Sequence, residues 1–431
     1  MMENPGIPPE GNRIGFVSTR LAGSDGVSLE VAKWVKMLEA MEMECFFFAG
    51  ESEWPAEKTH LVPEAHFAHE AIEEVNLTLM GATTRSSKSS RRVYELKSLL
   101  KEQIEAFVDR FDLDLLIAEN VLSLPMNIPL GLALTEFIAE RDFPVIAHHH
   151  DFAWERQRYA ISAASDYLRM AFPPTLRSVR HVVLNSFASR QLALRTGSNS
   201  ALIPNVMDFE TPPAKPDEYA AGLRADFGIG DDDYLMLQPT RIVPRKRIEL
   251  AINLAHRMGE RAVLLISHEA GDEGLEYKHF LEEYAESQGV RVLFGHGRIN
   301  HVRRENREGR KVYSLADAYA AADIVTYPSR IEGFGNAVLE AVYYRRPLVM
   351  SAYEIFKADI QPKGFRVVEF DDYISDATVR QTRTLLDDGP LVSEMVSTNY
   401  ELGRRFYSFR ALAENLLPLL RDVGRSRTQS I

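Results

Sequence analysis

The sequence predicts an α/β chain of two Rossmann-like, doubly wound parallel-sheet domains facing an interdomain cleft. Three observations carry the prediction. With 431 residues, the chain is long for one core and comfortable for two α/β domains of about 200 residues each. Short, almost continuously apolar runs alternate with stretches of helical spacing, as parallel strands covered on both faces require. The plan then occurs twice, once on each side of a proline-rich stretch.

Taken in order, "RIGFVST", "CFFFAG", "DLLIAEN", "PVIAHHH" and "HVVLNS" are the strands of the first half. "YLMLQPT", "AVLLISH", "VRVLFGH", "DIVTYPS", "PLVMSAY" and "FRVVEF" follow in the second. Between them "IPNVMDFETPPAKPDEYAAG" carries four prolines and breaks the rhythm, so it reads as the linker. The expected domains are therefore 1–205 and 206–395, with a helical segment 396–424 packing back on the first domain and a disordered tail 425–431. Ligands of such sheets bind at the carboxyl ends of the strands.

Hydrophobic residues make up 45% against 26% charged, which suits a well-filled core. A formal net charge of −12 argues against nucleic acid or an anionic membrane as a partner of the whole surface. The N-terminus "MMENPGIPPEGNR" lacks a signal-peptide pattern, and no apolar run of about 18 residues occurs. A cytoplasmic protein without membrane insertion is expected. Cys45, the single cysteine, permits no intrachain disulfide; it reads either as a buried strand residue or as a nucleophile, the first being simpler. Two basic segments, 81–98 and 297–313, read either as solvated loops or as covers of the cleft that bind an anionic acceptor.

The chemistry concentrates in "SRIEGFGNAVLEAVYYRRP", Ser329 to Pro347. Gly333, Phe334, Gly335 and Asn336 lead into a helix, an arrangement that offers free N–H groups to an anion. Two carboxylates bracket the loop, Glu332 and Glu340, and carboxylates suit hydroxyls instead. A sugar nucleotide has both parts. Arg241 and Lys246 follow the strand "YLMLQPT" and would neutralise a diphosphate leaving group, where an isolated pair would read as a surface loop.

Arg-x4-Lys after the first strand of a second domain, then Pro-Ser-x2-Glu-Gly-Phe-Gly-Asn-x3-Glu, resembles the family 4 retaining glycosyltransferases of the GT-B fold. The likeness includes "VVLNSFASRQL" and "IPNVMDF". The resemblance implies that Glu332 contacts hydroxyls of the donor sugar and Glu340 the nucleotide ribose. It implies also that Arg241, Lys246 and the amides from Gly333 to Asn336 hold the diphosphate. In "STRLAGSDGVSLEVAKW" the loop from Gly23 to Gly26 matches the family's glycine loop in position, although the usual adjacent glycine pair is split, and Asp25 within it falls on the acceptor side.

In "PVIAHHHDFAWERQRY", His148 and His150 point to one face of a strand and His149 to the other. A metal cluster and core histidines are both open readings, and no metal is expected. The resemblance aligns His150 and Asp151 with a His-Asp pair at the sugar end of the cleft, and implies that Trp154, Glu155, Arg156 and Arg158 begin an acceptor-binding helix. Nothing nominates a carboxylate nucleophile, so a front-face retaining transfer is expected, with no tightly bound cofactor beyond the donor. "RLAGSDGVSLE" and "HHHDFAWER" resemble a branch of mannosylglucosylglycerate-type synthases, which implies GDP-mannose as donor and glucosylglycerate or its phosphate as acceptor. Sucrose-phosphate- or trehalose-synthase-like glucosyl transfer from a UDP- or ADP-sugar, a sugar-nucleotide epimerase or hydrolase, and a non-catalytic sensor are the alternatives.

Overall fold

The computed structural model describes residues 13–23, 25–268 and 275–428, with backbone alone for 424–428. The chain divides into two compact units, one formed by residues up to Asn205 together with those from Leu412 onward, the other by Val206–Ala411.

The first unit is built on seven parallel strands: β1 (Arg13–Val17), β2 (Glu44–Ala49), β3 (Thr59–Leu61), β4 (Leu115–Glu119), β5 (Val145–His149), β6 (Val179–Val183) and β7 (Ser200–Leu202). Their order is β3-β2-β1-β4-β5-β6-β7. The order reverses between β1 and β4, so their carboxyl ends open a crevice that no crossover connection fills. Leu100, Ile104 and Phe107 from helix Ser87–Phe111 and Phe137 from helix Ile128–Arg141 bury one face together with Leu116 and Ala118. Cys45 is fully buried in β2, and burial pushes its thiol up to about 12, which removes it as a nucleophile.

The second unit repeats the plan with six parallel strands: β8 (Tyr234–Gln238), β9 (Ala262–Ile266), β10 (Arg291–Phe294), β14 (Ile324–Tyr327), β15 (Leu348–Ser351) and β16 (Val368–Phe370). The order β10-β9-β8-β14-β15-β16 puts the reversal between β8 and β14. Three short strands, β11 (Ile299–Asn300), β12 (Arg304–Glu305) and β13 (Lys311–Ser314), form a separate small sheet in the order β11-β13-β12.

Four expectations change. Segment 81–98 is no loop, because helix Ser87–Phe111 starts inside it: Ser86 caps the helix by accepting from Ser89 N at 3.1 Å, and Arg85 grips Asp166 through two contacts of 2.5 and 2.6 Å. Segment 297–313 holds the small sheet, and Arg303 ties it down by reaching Asp217 at 2.6 Å and Asp317 at 2.5 Å. Residues 396–411 belong to the second unit, since Asn399 exchanges two hydrogen bonds with the Arg366 backbone (2.7 and 2.8 Å) and the Tyr400 hydroxyl donates to Phe209 O at 3.1 Å. Finally, helix Phe409–Thr428 continues through the start of the expected tail; Arg180 meets Asp422 at 2.5 Å on it. The N-terminal stretch 1–12 and residues 429–431 lie outside the described residues. Among the described residues no helix is long and apolar enough to cross a membrane.

Candidate functional site

Each unit carries a cluster of polar side chains at its own reversal point. In the second unit, β8 ends at Gln238 and the chain turns through Pro244–Lys246, a 3-10 turn closed by Arg247 in the left-handed region (φ 51°). That turn drives Lys246 inward until only 8% of it is exposed, its ammonium 5.2 Å from the Tyr327 ring centroid. From the loop after the neighbouring strand β14 comes Glu332, which forms a close ion pair with Lys246 and a second contact with Arg245 at 3.5 Å. Burial lowers the Lys246 pKa, Arg245 and Arg241 push the same way, and Glu332 opposes them. For Glu332 burial works against the charge, yet Lys246 and Arg245 hold the carboxyl below its ordinary value. Each partner thus offsets part of the burial cost of the other's charge.

The loop after Glu332 can be built only with glycine at one position. Gly335 has φ 112°, and a Cβ there would lie 2.2 Å from the Tyr353 hydroxyl, which itself donates to Phe334 O at 2.7 Å. Gly335 hands over to helix Asn336–Tyr343. On that helix Glu340 accepts from the buried Tyr319 hydroxyl at 2.8 Å, which aims its carboxylate. Arg241 is exposed, yet its charge reaches both Lys246 and His268. His268 went unremarked in the sequence, although its place just past β9 marks it. Burial, with His301, Lys246 and Arg241, pushes it down to about 4, so it is a neutral imidazole; its Nδ1 lies 2.8 Å from Ser267 Oγ.

In the first unit, the glycine loop begins the cluster. Gly23 has φ 74°, and Asp25 caps helix Gly26–Ala40, accepting from Val27 N at 3.0 Å and Ser28 N at 3.1 Å. Ser24, between them, lies outside the described residues. Across the reversal point stands Glu119 at the end of β4, a residue the sequence reading passed over. Its side chain is fully buried and lies 3.0 Å from His148 Nδ1 and 3.1 Å from His150 Nε2. An ionised carboxylate only accepts, so both ring nitrogens donate to it. Burial opposes protonation of His150, but Glu119 raises its pKa above the ordinary value; burial opposes the charge on Glu119 too, and the two imidazoles bring its pKa well down. Asn120, in the left-handed region (φ 61°), accepts from His150 N at 3.1 Å and from Ser123 Oγ at 2.8 Å.

The alternation expected along "HHH" holds: His149 faces the other way and meets His181 at 2.9 Å. One ligand atom each from Glu119, His148 and His150 lies within 4.8 Å of the others, so these are the residues that could hold a metal. They also form a hydrogen-bonded network, in which His148 Nδ1 meets Glu119, His148 Nε2 has no partner among the described residues, and the ring stacks on Trp34 at 4.3 Å.

The residues after the strand do not form the acceptor helix expected of them. They form two single 3-10 turns, Ala153–Glu155 and Gln157–Tyr159, because Glu155 folds back on Phe152 N at 2.8 Å. Trp154 stacks on Phe152 at 4.3 Å under Arg195, Arg156 is taken by Asp151 at 2.7 Å, and exposed Arg158 covers Tyr159. A small, partly open pocket lies instead beside β1 and β4, lined by Ser18, Thr19, Arg20, Asp25, Glu119 and Asn120 with Phe67 and Met126. Of the acceptor residues expected, Asp25 lines it directly and His150 sits behind Glu119.

Comparison with known proteins gives this geometry a setting. Residues 222–402 match the family described as "Glycosyl transferases group 1". Over 94% of its length the chain is 34% identical to the mannosylglucosylglycerate synthase of Thermotoga maritima, covering 98% of that protein. The enzyme of the same name from Petrotoga mobilis is 32% identical over 82% of this chain and 86% of its own. Among solved structures, sucrose-phosphate synthase from Thermosynechococcus elongatus superposes with a TM-score of 0.67 at 16% identity, over 96% of this chain and all of that one. That likeness bears on the fold alone: two doubly wound parallel-sheet domains of the GT-B type.

Proposed function

Because the chain belongs to the group 1 glycosyltransferases, we propose that it moves a mannosyl residue from GDP-mannose to glucosylglycerate, in the cytoplasm and with retention of the anomeric configuration, as a family 4 enzyme. The observation that carries the reading is the cluster at the β8/β14 reversal. Two buried, oppositely charged side chains, Lys246 and Glu332, stand there with Arg241 and with Glu340 aimed by Tyr319. Cations serve a diphosphate and carboxylates serve hydroxyls, so one sugar nucleotide satisfies the set. The relatives that match along most of the chain supply the choice of sugar and acceptor.

In this reading the donor diphosphate lies against Arg241, Lys246 and the amides from Gly333 to Asn336. Glu332 exchanges part of its contact with Lys246 for the sugar hydroxyls, while Glu340 holds the ribose. Within the first unit, the Gly23 and Gly26 amides are the candidates for a phosphate contact, and His150, supported by Glu119 and followed by Asp151, for orienting hydroxyls. The acceptor oxygen then bonds to the anomeric carbon as the bond to the phosphate oxygen breaks on the same side. The hydroxyl proton passes to that leaving oxygen, whose charge Lys246 and Arg241 stabilise. No metal and no tightly bound cofactor takes part.

A thermal-shift panel of GDP-, UDP- and ADP-sugars, followed by an NMR assignment of the product, tests the proposal. Selective stabilisation by GDP-mannose and an α-linked product from the α-linked donor are expected, with turnover unchanged after chelation. Stabilisation by a UDP- or ADP-sugar would move the enzyme to the glucosyl-transfer alternative. Hydrolysis or epimerisation without acceptor would remove the transfer reading.

A further inference from the structure

The pocket at the β1/β4 reversal has one basic residue among its lining side chains, Arg20. Its guanidinium is held on two sides and open on another. Nη2 donates to Asp25 Oδ2 at 3.0 Å, the group lies 5.4 Å from the Phe67 ring centroid, and 35% of the side chain remains exposed. Asp25 is in turn fixed by Val27 N, Ser28 N and the Ser28 hydroxyl, so it anchors Arg20 without being free to swing. A guanidinium has five N–H donors, and Asp25 takes one; Nε is buried with no hydrogen-bond partner among the described residues.

Resting on the transfer reading above, we infer that Arg20 binds the acceptor through a carboxylate, and that the pocket selects a monoanion over a phosphorylated acceptor. A planar fork with spare donors matches a planar carboxylate. A phosphate dianion would need a second cation, and the same pocket presents two carboxylates instead, Asp25 and Glu119. Both already have their partners, so neither offers a donor, and both repel a doubly charged group. Phe67 and Met126 give the pocket an apolar wall for the carbon face of a sugar ring. Glu119 joins this pocket to His150, which places the carboxylate site next to the residue that orients the reacting hydroxyl.

The test measures kinetics of wild type, R20Q and R20K with GDP-mannose and three acceptors: glucosylglycerate, its neutral analogue glucosylglycerol, and phosphorylated glucosylglycerate. Wild type is expected to favour glucosylglycerate over glucosylglycerol by about 100-fold in kcat/KM, the discrimination of a site built around one charged partner. In R20Q that ratio should fall toward 1 through the acceptor KM, with the donor KM within about twofold, and R20K should fall between because it keeps the charge without the fork. An unchanged acceptor KM in folded R20Q would overturn the inference while leaving the transfer reading intact. A rise in the donor KM would place Arg20 on the donor instead, and preference for the phosphorylated acceptor would overturn the monoanion. Wild type that uses none of the three overturns the transfer reading and this inference with it.

Discussion

The two reversal points solve the same problem, a buried carboxylate at or just beyond the end of a central strand, with different counterparts. In the second unit Glu332 is met by the side chains of Lys246 and Arg245. In the first, Glu119 is met by two imidazoles, His148 and His150. Under the transfer reading, the contrast matches what each site would handle. A diphosphate leaving group needs fixed positive charge, while hydroxyls and a single carboxylate need directed hydrogen bonds with little net charge.

The sharpest way to break that contrast is to remove the fixed charges. Lys246→Ala and Glu332→Ala are each expected to cut turnover about 100-fold or more, the size of a lost charge-stabilising contact, with the circular dichroism spectrum retained. Wild-type turnover in either folded variant would unseat the second unit as the donor site. Next in size is Glu119→Ala, which leaves two buried imidazole N–H groups without their acceptor and should cost about 2–3 kcal/mol in urea unfolding. His150→Ala should cost less, since His148 keeps its partner; equal losses would mean that Glu119 does not bridge the two rings.

Acid sharpens the comparison further. His149 and His181 are buried and neutral in the folded chain, His181 titrating at about 4 and His149 held well below 6.5 chiefly by burial. Both bind protons more readily when unfolded, so their contribution is complete above pH 6.5 and is lost as the pH falls toward their folded values. The expected loss is about 1.4 kcal/mol per pH unit for each group in that window, read from urea midpoints at pH 7.5 and 5.5. A pH-independent midpoint would mean that the pair opens to water. The smallest effect is expected at Arg158→Ala: exposed and laid over Tyr159, it should leave the acceptor KM within about twofold, as surface substitutions usually do. A large rise would restore the acceptor role that the sequence alone assigned to it.

How much was legible depended on distance along the chain. Gly333 to Glu340 and Arg241 with Lys246 are local patterns, and each could be read from a dozen residues. Glu119 gained meaning only when β4 paired with β5, setting Glu119 opposite His148 from 29 positions away. Arg20 gained meaning similarly, once β1 and β4 lay side by side and placed it with Glu119 in one pocket. The helix Ser87–Phe111 was obscured by its own serines and basic residues, although Val93, Leu96, Leu100, Ile104 and Phe107 recur at helical spacing beneath them.

Residue order by itself determined the strand–helix alternation, the doubling of the sheet plan, the seam near residue 205 and the glycine turn into helix Asn336–Tyr343, because apolar periodicity, glycine freedom and charge spacing all act over a few residues. Only the tertiary structure decided which carboxylate faces which cation, that Arg85 and Arg303 of the basic segments hold helix and sheet in place, and that a pocket with Arg20 opens at the first reversal. Those outcomes depend on strand order, which brings together groups 30 to 100 residues apart, as at Arg13 and Asp114 beneath the first sheet, and no local pattern encodes such neighbours.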